Sequence, residues 1–125
     1  MYIHYDAKTD YLEVLEKKGA NYSEIHENGI YKIHSEKNKK IVGYGIENAS
    51  IKIEALNFFE PLIKFSIMIK ILRLKKGLTQ IQAAKKLGIS LLPYQRIESG
   101  KNNPTLKTIL RIKEVFPELK LDKVA

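Results

Sequence analysis

The stretch TQIQAAKKLGISLLPYQRIESGKNNPT, residues 79–105, decides how the second half of this chain is read. Thr79 stands where a helix N-cap belongs, and Gln82, three residues on, completes a capping box. The helix it opens, 80–87, ends at Gly88, a residue suited to the left-handed conformation that closes a helix. Ile89-Ser90 lead into a second short helix that closes at Ser99-Gly100. Lys101-Asn102-Asn103-Pro104 form a loop, after which Thr105 caps a further helix, 106–116, that stops before Pro117. Upstream, apolar spacing turns helical from about Leu62 and predicts a helix to Lys76, closed by Gly77. A short final turn is expected around 119–124.

Two short helices joined at Gly88, inside a bundle of four or five, resemble the phage-repressor (Cro/C1, or Xre) helix-turn-helix family. The resemblance runs over roughly 62–117 and is carried by Ile69, Leu72, Arg73, Gly77, Leu78, Thr79, Gln80, Ala84, Leu87, Gly88, Ser90, Arg96, Ile97, Glu98, Gly100, Asn103, Pro104, Thr105 and Leu106. It implies that Arg73 and Glu98 form a buried ion pair joining the first helix of the bundle to the third. It also implies that Ala84 lies at a close helix–helix approach and that Leu87, Tyr94 and Ile97 are core. Gln80 matches the family's phosphate-clamping glutamine, at a helix N-terminus whose free N–H groups also suit phosphate. Lys101 and Asn102 match backbone-contacting positions. Thr79, Ser90, Leu91, Leu92, Gln95 and Arg96 complete the expected DNA-binding set, with Arg96 suited to guanine and Gln95 to adenine. Such proteins bind double-stranded DNA as homodimers, on half-sites about one helical turn apart.

Leu91 and Leu92 depart from that pattern, because they occupy first-turn positions that most often carry polar base readers. Pro93 is tolerated at N3 if Ser90 is the N-cap; alternatively the helix begins at Pro93 itself. Either way two leucines face outward, to touch thymine methyls or to meet a protein. The helix before the motif is a second anomaly. Phe65, Ile67, Met68, Ile69, Ile71, Leu72 and Leu74 place apolar groups nearly all round it, as in a helix covered on every side. The expected covers are the N-terminal sheet and the bundle core, with a dimer interface as the alternative.

The first half reads differently. Short β-rich runs at 2–5, 11–15, 30–34 and 41–46 alternate with polar turns, among them Asn28-Gly29, and predict four strands of an antiparallel meander. The segment between Gly19 and Asn28 reads as irregular. A sheet this small needs a helix or a partner on one face, and its edges are candidates for pairing with another chain. Tyr5, Asp6, Asp10 and Leu12, with Ile41, Val42, Gly43, Ile46, Asn48, Ala49 and Ser50, resemble the opening and close of a family of small β-rich domains with no agreed activity. The expected fold is therefore α+β. A small antiparallel β-meander module spans 1–58 and a four- or five-helix helix-turn-helix bundle spans 59–125.

Charge follows the same division. Residues 1–60 hold 8 Lys and Arg against 10 Asp and Glu, and residues 61–125 hold 14 against 4, so the whole-chain charge of +8 comes from the second half. That asymmetry points the second module toward a polyanion. With no cysteine, disulfides and thiolate metal sites are excluded. No signal-peptide pattern and no membrane-length apolar run occurs, so a cytoplasmic protein is expected. His4, His26 and His34, with Asp6 and Asp10, are the only plausible reactive set, and alternation could bring His4 and His34 to one face. No nucleophile motif or phosphate loop accompanies them, so neither enzyme activity nor a metal or other cofactor is expected.

The functional expectation is a DNA-binding transcriptional regulator. The pairing of modules resembles the antitoxin, and autorepressor, of a toxin–antitoxin pair, with a cognate toxin protein as a second partner. The alternative is a protein-interaction module, a toxin neutraliser, whose helix-turn-helix has lost sequence-specific DNA reading.

Overall fold

The structure is a computed structural model that describes residues 2–53, 56 and 59–120; the side chains of Ile25 and His26 lie outside the description. The chain divides into two compact units, Met1–Lys52 and Ile53–Ala125.

The first unit is a five-stranded antiparallel sheet. Its strands are β1 (Tyr2–Asp6), β2 (Tyr11–Leu15), β3 (Asn21–Glu27), β4 (Ile30–Ser35) and β5 (Ile41–Ile46), followed by a one-turn helix α1 (Ala49–Lys52). The order across the sheet is β1-β2-β5-β4-β3, so the chain crosses from β2 to the far edge and returns strand by strand. The segment expected to be irregular is β3. Its side chains are mostly polar and exposed, as an edge strand permits, so period-2 apolar alternation was absent. The cue to β3 is the turn that follows it. Asn28 and Gly29 both have positive φ (54° and 74°), and Glu27 pairs with Ile30, as a two-residue hairpin requires.

Tyr5, Asp10, Ala49 and Ser50 form a lock between the two ends of this unit. The Asp10 carboxylate accepts from the Tyr5 hydroxyl, from the Ser50 amide (3.0 Å) and from the Ser50 hydroxyl (2.7 Å). Its carbonyl takes the Ala49 amide (3.0 Å), while Leu12 pairs with Ile46 beneath it, both fully buried. Burial, followed by the bond to Asp10, pushes the Tyr5 phenol well above its ordinary value and keeps it a donor. This cluster is scaffold, because its lone pairs and protons are turned on one another.

The second unit holds α2 (Pro61–Lys75), α3 (Gln80–Leu87), α4 (Leu91–Glu98) and α5 (Leu106–Val115). Pro61 opens α2 at N1, where its missing N–H is not needed. Burial of Phe65, Ile67, Met68, Ile69 and Ile71 along α2 follows the expected all-round apolar character. The core continues through Ala83, Ala84, Leu87, Tyr94, Ile97, Ile112, Phe116 and Leu119. Beyond Lys120 the expected final turn lies outside the described residues. Among the described residues no helix is long and apolar enough to cross a membrane.

Candidate nucleic-acid interface

The frame begins with the caps. The Thr79 hydroxyl accepts from the Gln82 amide (3.1 Å), and the Gln82 side chain accepts from the Thr79 amide (2.9 Å), which is the reciprocal box read from the sequence. Gly88 ends α3 at φ 69°, letting the Ile89 amide reach back to the Ala84 carbonyl (3.1 Å). Arg111 of α5 donates to the Leu87 carbonyl (3.0 Å), a C-terminal brace that no motif announced. Gly100 repeats the left-handed closure after α4, and a Cβ there would meet Ile63 Cδ1 at 2.8 Å. The buried Ser66 hydroxyl lies 2.8 Å from the Ile97 carbonyl and so ties α2 to the end of α4.

Arg73 and Glu98 form the buried pair that the family resemblance implies. Arg73 Nε donates to Glu98 Oε2 and Nη2 to Oε1, each at 2.8 Å, while Nη1 donates to the Leu78 carbonyl at 2.8 Å. Burial alone would raise the Glu98 pKa. The hydrogen bonds from Arg73, with the neighbouring Tyr94 and Gln80, outweigh it and hold the carboxylate below its ordinary range. Tyr94 is fully buried beside them, and burial and the Glu98 charge push its phenol upward.

The pair extends to the surface. Gln80 Nε2 donates to Glu98 Oε1 (3.2 Å), and Gln95 Nε2 donates to Gln80 Oε1 (3.0 Å). Two glutamines expected to contact DNA independently are thus one chain of hydrogen bonds anchored on a buried carboxylate. Gln80 stands at the first turn of α3 and Gln95 on the exposed side of α4.

The helix α4 begins at Leu91, with Ser90 as N-cap and Pro93 at N3, so the shortened alternative starting at Pro93 is not adopted. The Ser90 side chain makes no capping bond. Tyr94, Ile97 and Glu98 face inward, which leaves Leu91, Leu92, Pro93, Gln95, Arg96 and Ser99 outward. Leu91 is 36% exposed and Leu92 55%. Lys101 and Asn102 are exposed in the loop beyond, joined to α4 by the Lys101 amide on the Arg96 carbonyl (2.9 Å). Across residues 61–113 there are 12 Lys and Arg, and the only carboxylate is Glu98. That carboxylate is buried and occupied by Arg73, so this stretch presents no exposed negative side chain.

The histidine set does not assemble. His4 pairs with Glu13, Glu13 with Gly45 and Gly45 with Tyr31, which puts His4 on the face of Tyr31 and His34 on the opposite one. The expectation of a shared face fails on strand register. His34 instead stacks on Tyr22 (ring centroids 5.3 Å apart) and lies 3.2 Å from Glu24. The side chain of His26 is outside the described residues. Among the described residues no group of three or more His, Asp or Glu is placed to hold a metal ion.

A box-capped helix and a second short helix, set about a glycine turn and braced by a buried arginine–glutamate pair, make the second unit a helix-turn-helix bundle. Residues 69–124 match the family model described as "Helix-turn-helix", which supports a DNA-binding regulatory role for that part of the chain. Neither the curated proteins nor the solved structures gave a significant match to the chain.

Proposed function

We propose that this protein is a DNA-binding transcriptional regulator that lays α4 in the major groove. The observation that carries the reading is the capped α3–Gly88–α4 element on a surface stretch without exposed carboxylates. In this reading the α3 N-terminus and Gln80 grip a phosphate, and Lys101 and Asn102 hold the backbone beyond α4. Arg96 reaches a base edge. Gln95, bonded to Gln80, positions the clamp as much as it reads a base. A homodimer would place two such helices one helical turn apart.

The finer proposal is an autorepressing antitoxin. The N-terminal sheet would engage a cognate toxin, consistent with its separate compaction and with its balanced charge, 8 Lys against 8 Asp and Glu over residues 1–52, beside a strongly basic bundle. Its exposed edges β1 and β3 are suited to strand addition. One observation favours the alternative of a protein-binding module without sequence reading: the leucines on α4.

Fluorescence anisotropy of the full chain with its own upstream DNA tests the proposal. The expected result is affinity that falls steeply with salt and weakens on Arg96→Ala. Binding that is insensitive to both overturns it. Co-purification with the product of the adjacent gene tests the antitoxin role.

A further inference from the structure

We infer that Leu91 and Leu92 read thymine through its 5-methyl group. The recognised sequence therefore holds thymine where the first turn of α4 meets the groove, close to the base contacted by Arg96. This rests on the DNA-binding reading above and deepens it.

The first turn of α4 is the end that a recognition helix brings to base edges. Here that turn offers almost nothing polar. Leu91 and Leu92 are apolar and exposed, and Pro93 has no N–H. Of the four bases only thymine shows a carbon group in the major groove. Cytosine would set its N4 amino group against the leucines, where that donor loses water and finds no acceptor. The charge around the leucines selects the occupant. No exposed carboxylate occurs from 61 to 113, and Arg96 lies one turn from Leu92 on the same outward stripe. An anionic groove lined with methyl groups matches both properties at once.

Spacing narrows the site further. Leu92 and Arg96 are four residues apart, about 6 Å along the helix, which is close to two base-pair steps of about 3.4 Å. A guanine met by Arg96 should thus lie about one or two base pairs from the thymine.

The test is selection by the full-length protein from random-sequence duplexes, followed by replacement of each selected thymine with deoxyuridine, which lacks only the methyl group. Affinity should fall about fourfold for each methyl in contact, the value of one buried carbon group. The variant Leu91→Ala/Leu92→Ala should bind both duplexes equally. Equal wild-type affinity for the two duplexes, or a difference that survives in the variant, overturns the inference and leaves DNA binding standing. Loss of a protein partner by the variant, with unchanged affinity for both duplexes, also overturns it and assigns the leucines to protein. Absence of any salt-dependent duplex binding removes the underlying reading and this inference with it.

Discussion

Glu98→Leu separates scaffold from interface in the helical unit. Glu98 and Arg73 are 3% and 7% exposed, and the carboxylate accepts two bonds from the guanidinium and one from Gln80. Removing it leaves a buried cation with the Leu78 carbonyl as an acceptor but no counter-charge. Breaking a buried pair in this way costs about 3–5 kcal/mol, a large part of the roughly 5–15 kcal/mol that holds a domain together. With a urea slope of about 2 kcal/mol/M, the unfolding midpoint should fall by about 2 M. Helical circular dichroism, dominated by α2 to α5, is the appropriate signal. Arg73→Met/Glu98→Leu should recover most of the loss, because two apolar side chains of similar volume need no partners. A single variant costing less than about 1 kcal/mol would refute the reasoning, as would strict additivity in the double variant. The pH dependence follows from the same geometry. Glu98 is held below its ordinary range, so its contribution is complete above the unfolded value and is lost as pH falls through the depressed folded value. Glu98→Gln should flatten that acid limb.

Three further outcomes are expected. Lys101→Ala should weaken duplex binding about equally across sequences and reduce the slope of log affinity against log salt by about one; a sequence-dependent loss would place Lys101 at a base. Gly88→Ala should cost about 1–2 kcal/mol in thermal or urea unfolding, because the position has φ 69° and an added Cβ would stand 2.7 Å from Arg111 Nη1. Stability unchanged by Gly88→Ala would exclude that turn geometry. Asp10→Ala should destabilise the sheet by at least about 3 kcal/mol, since the carboxylate accepts three hydrogen bonds and bonds to a charged group are worth roughly 1.5–3 kcal/mol each without adding fully, and should speed exchange of the Ser50 amide that Asp10 holds; an effect below about 0.5 kcal/mol would show that the lock is not structural.

What could be read from the sequence was what is local. Thr79, Gln82 and Gly88 act through atoms three or four residues away, so their spacing alone specified the helix ends. The strand β3 leaves no apolar pattern in the sequence because an edge strand needs no apolar face, although Asn28-Gly29 implies a strand on its N-terminal side. Long-range partners left no such trace. Arg111 braces Leu87 across 24 positions and Ser66 meets Ile97 across 31, and neither side chain belongs to a periodic pattern. The Arg73–Glu98 pair is separated by 25 positions and was accessible only through family resemblance. The histidine face failed for a related reason, since alternation within one strand does not give the register between strands.

The hydrogen-bond chain also changes how the surface charge should be counted. Arg73 is the most conspicuous cation of α2 by position, yet it is spent inside the fold, and its charge cancels that of Glu98. Taking that pair away leaves eleven of the twelve Lys and Arg between 61 and 113, of which Lys64 is also buried, so ten cations reach the surface with no carboxylate among them. Polyanion attraction and sequence reading are then carried by different groups. In the proposed complex the lysines would provide attraction without regard to base, whereas Gln80 and Gln95 are tied through hydrogen bonds to the buried Glu98. The Gln95–Gln80–Glu98 chain of hydrogen bonds joins α3 to α4 in the protein without DNA. On the proposed reading, discrimination would fall to the side chains of α4 that remain outward and outside that chain of bonds, and two of those are leucines.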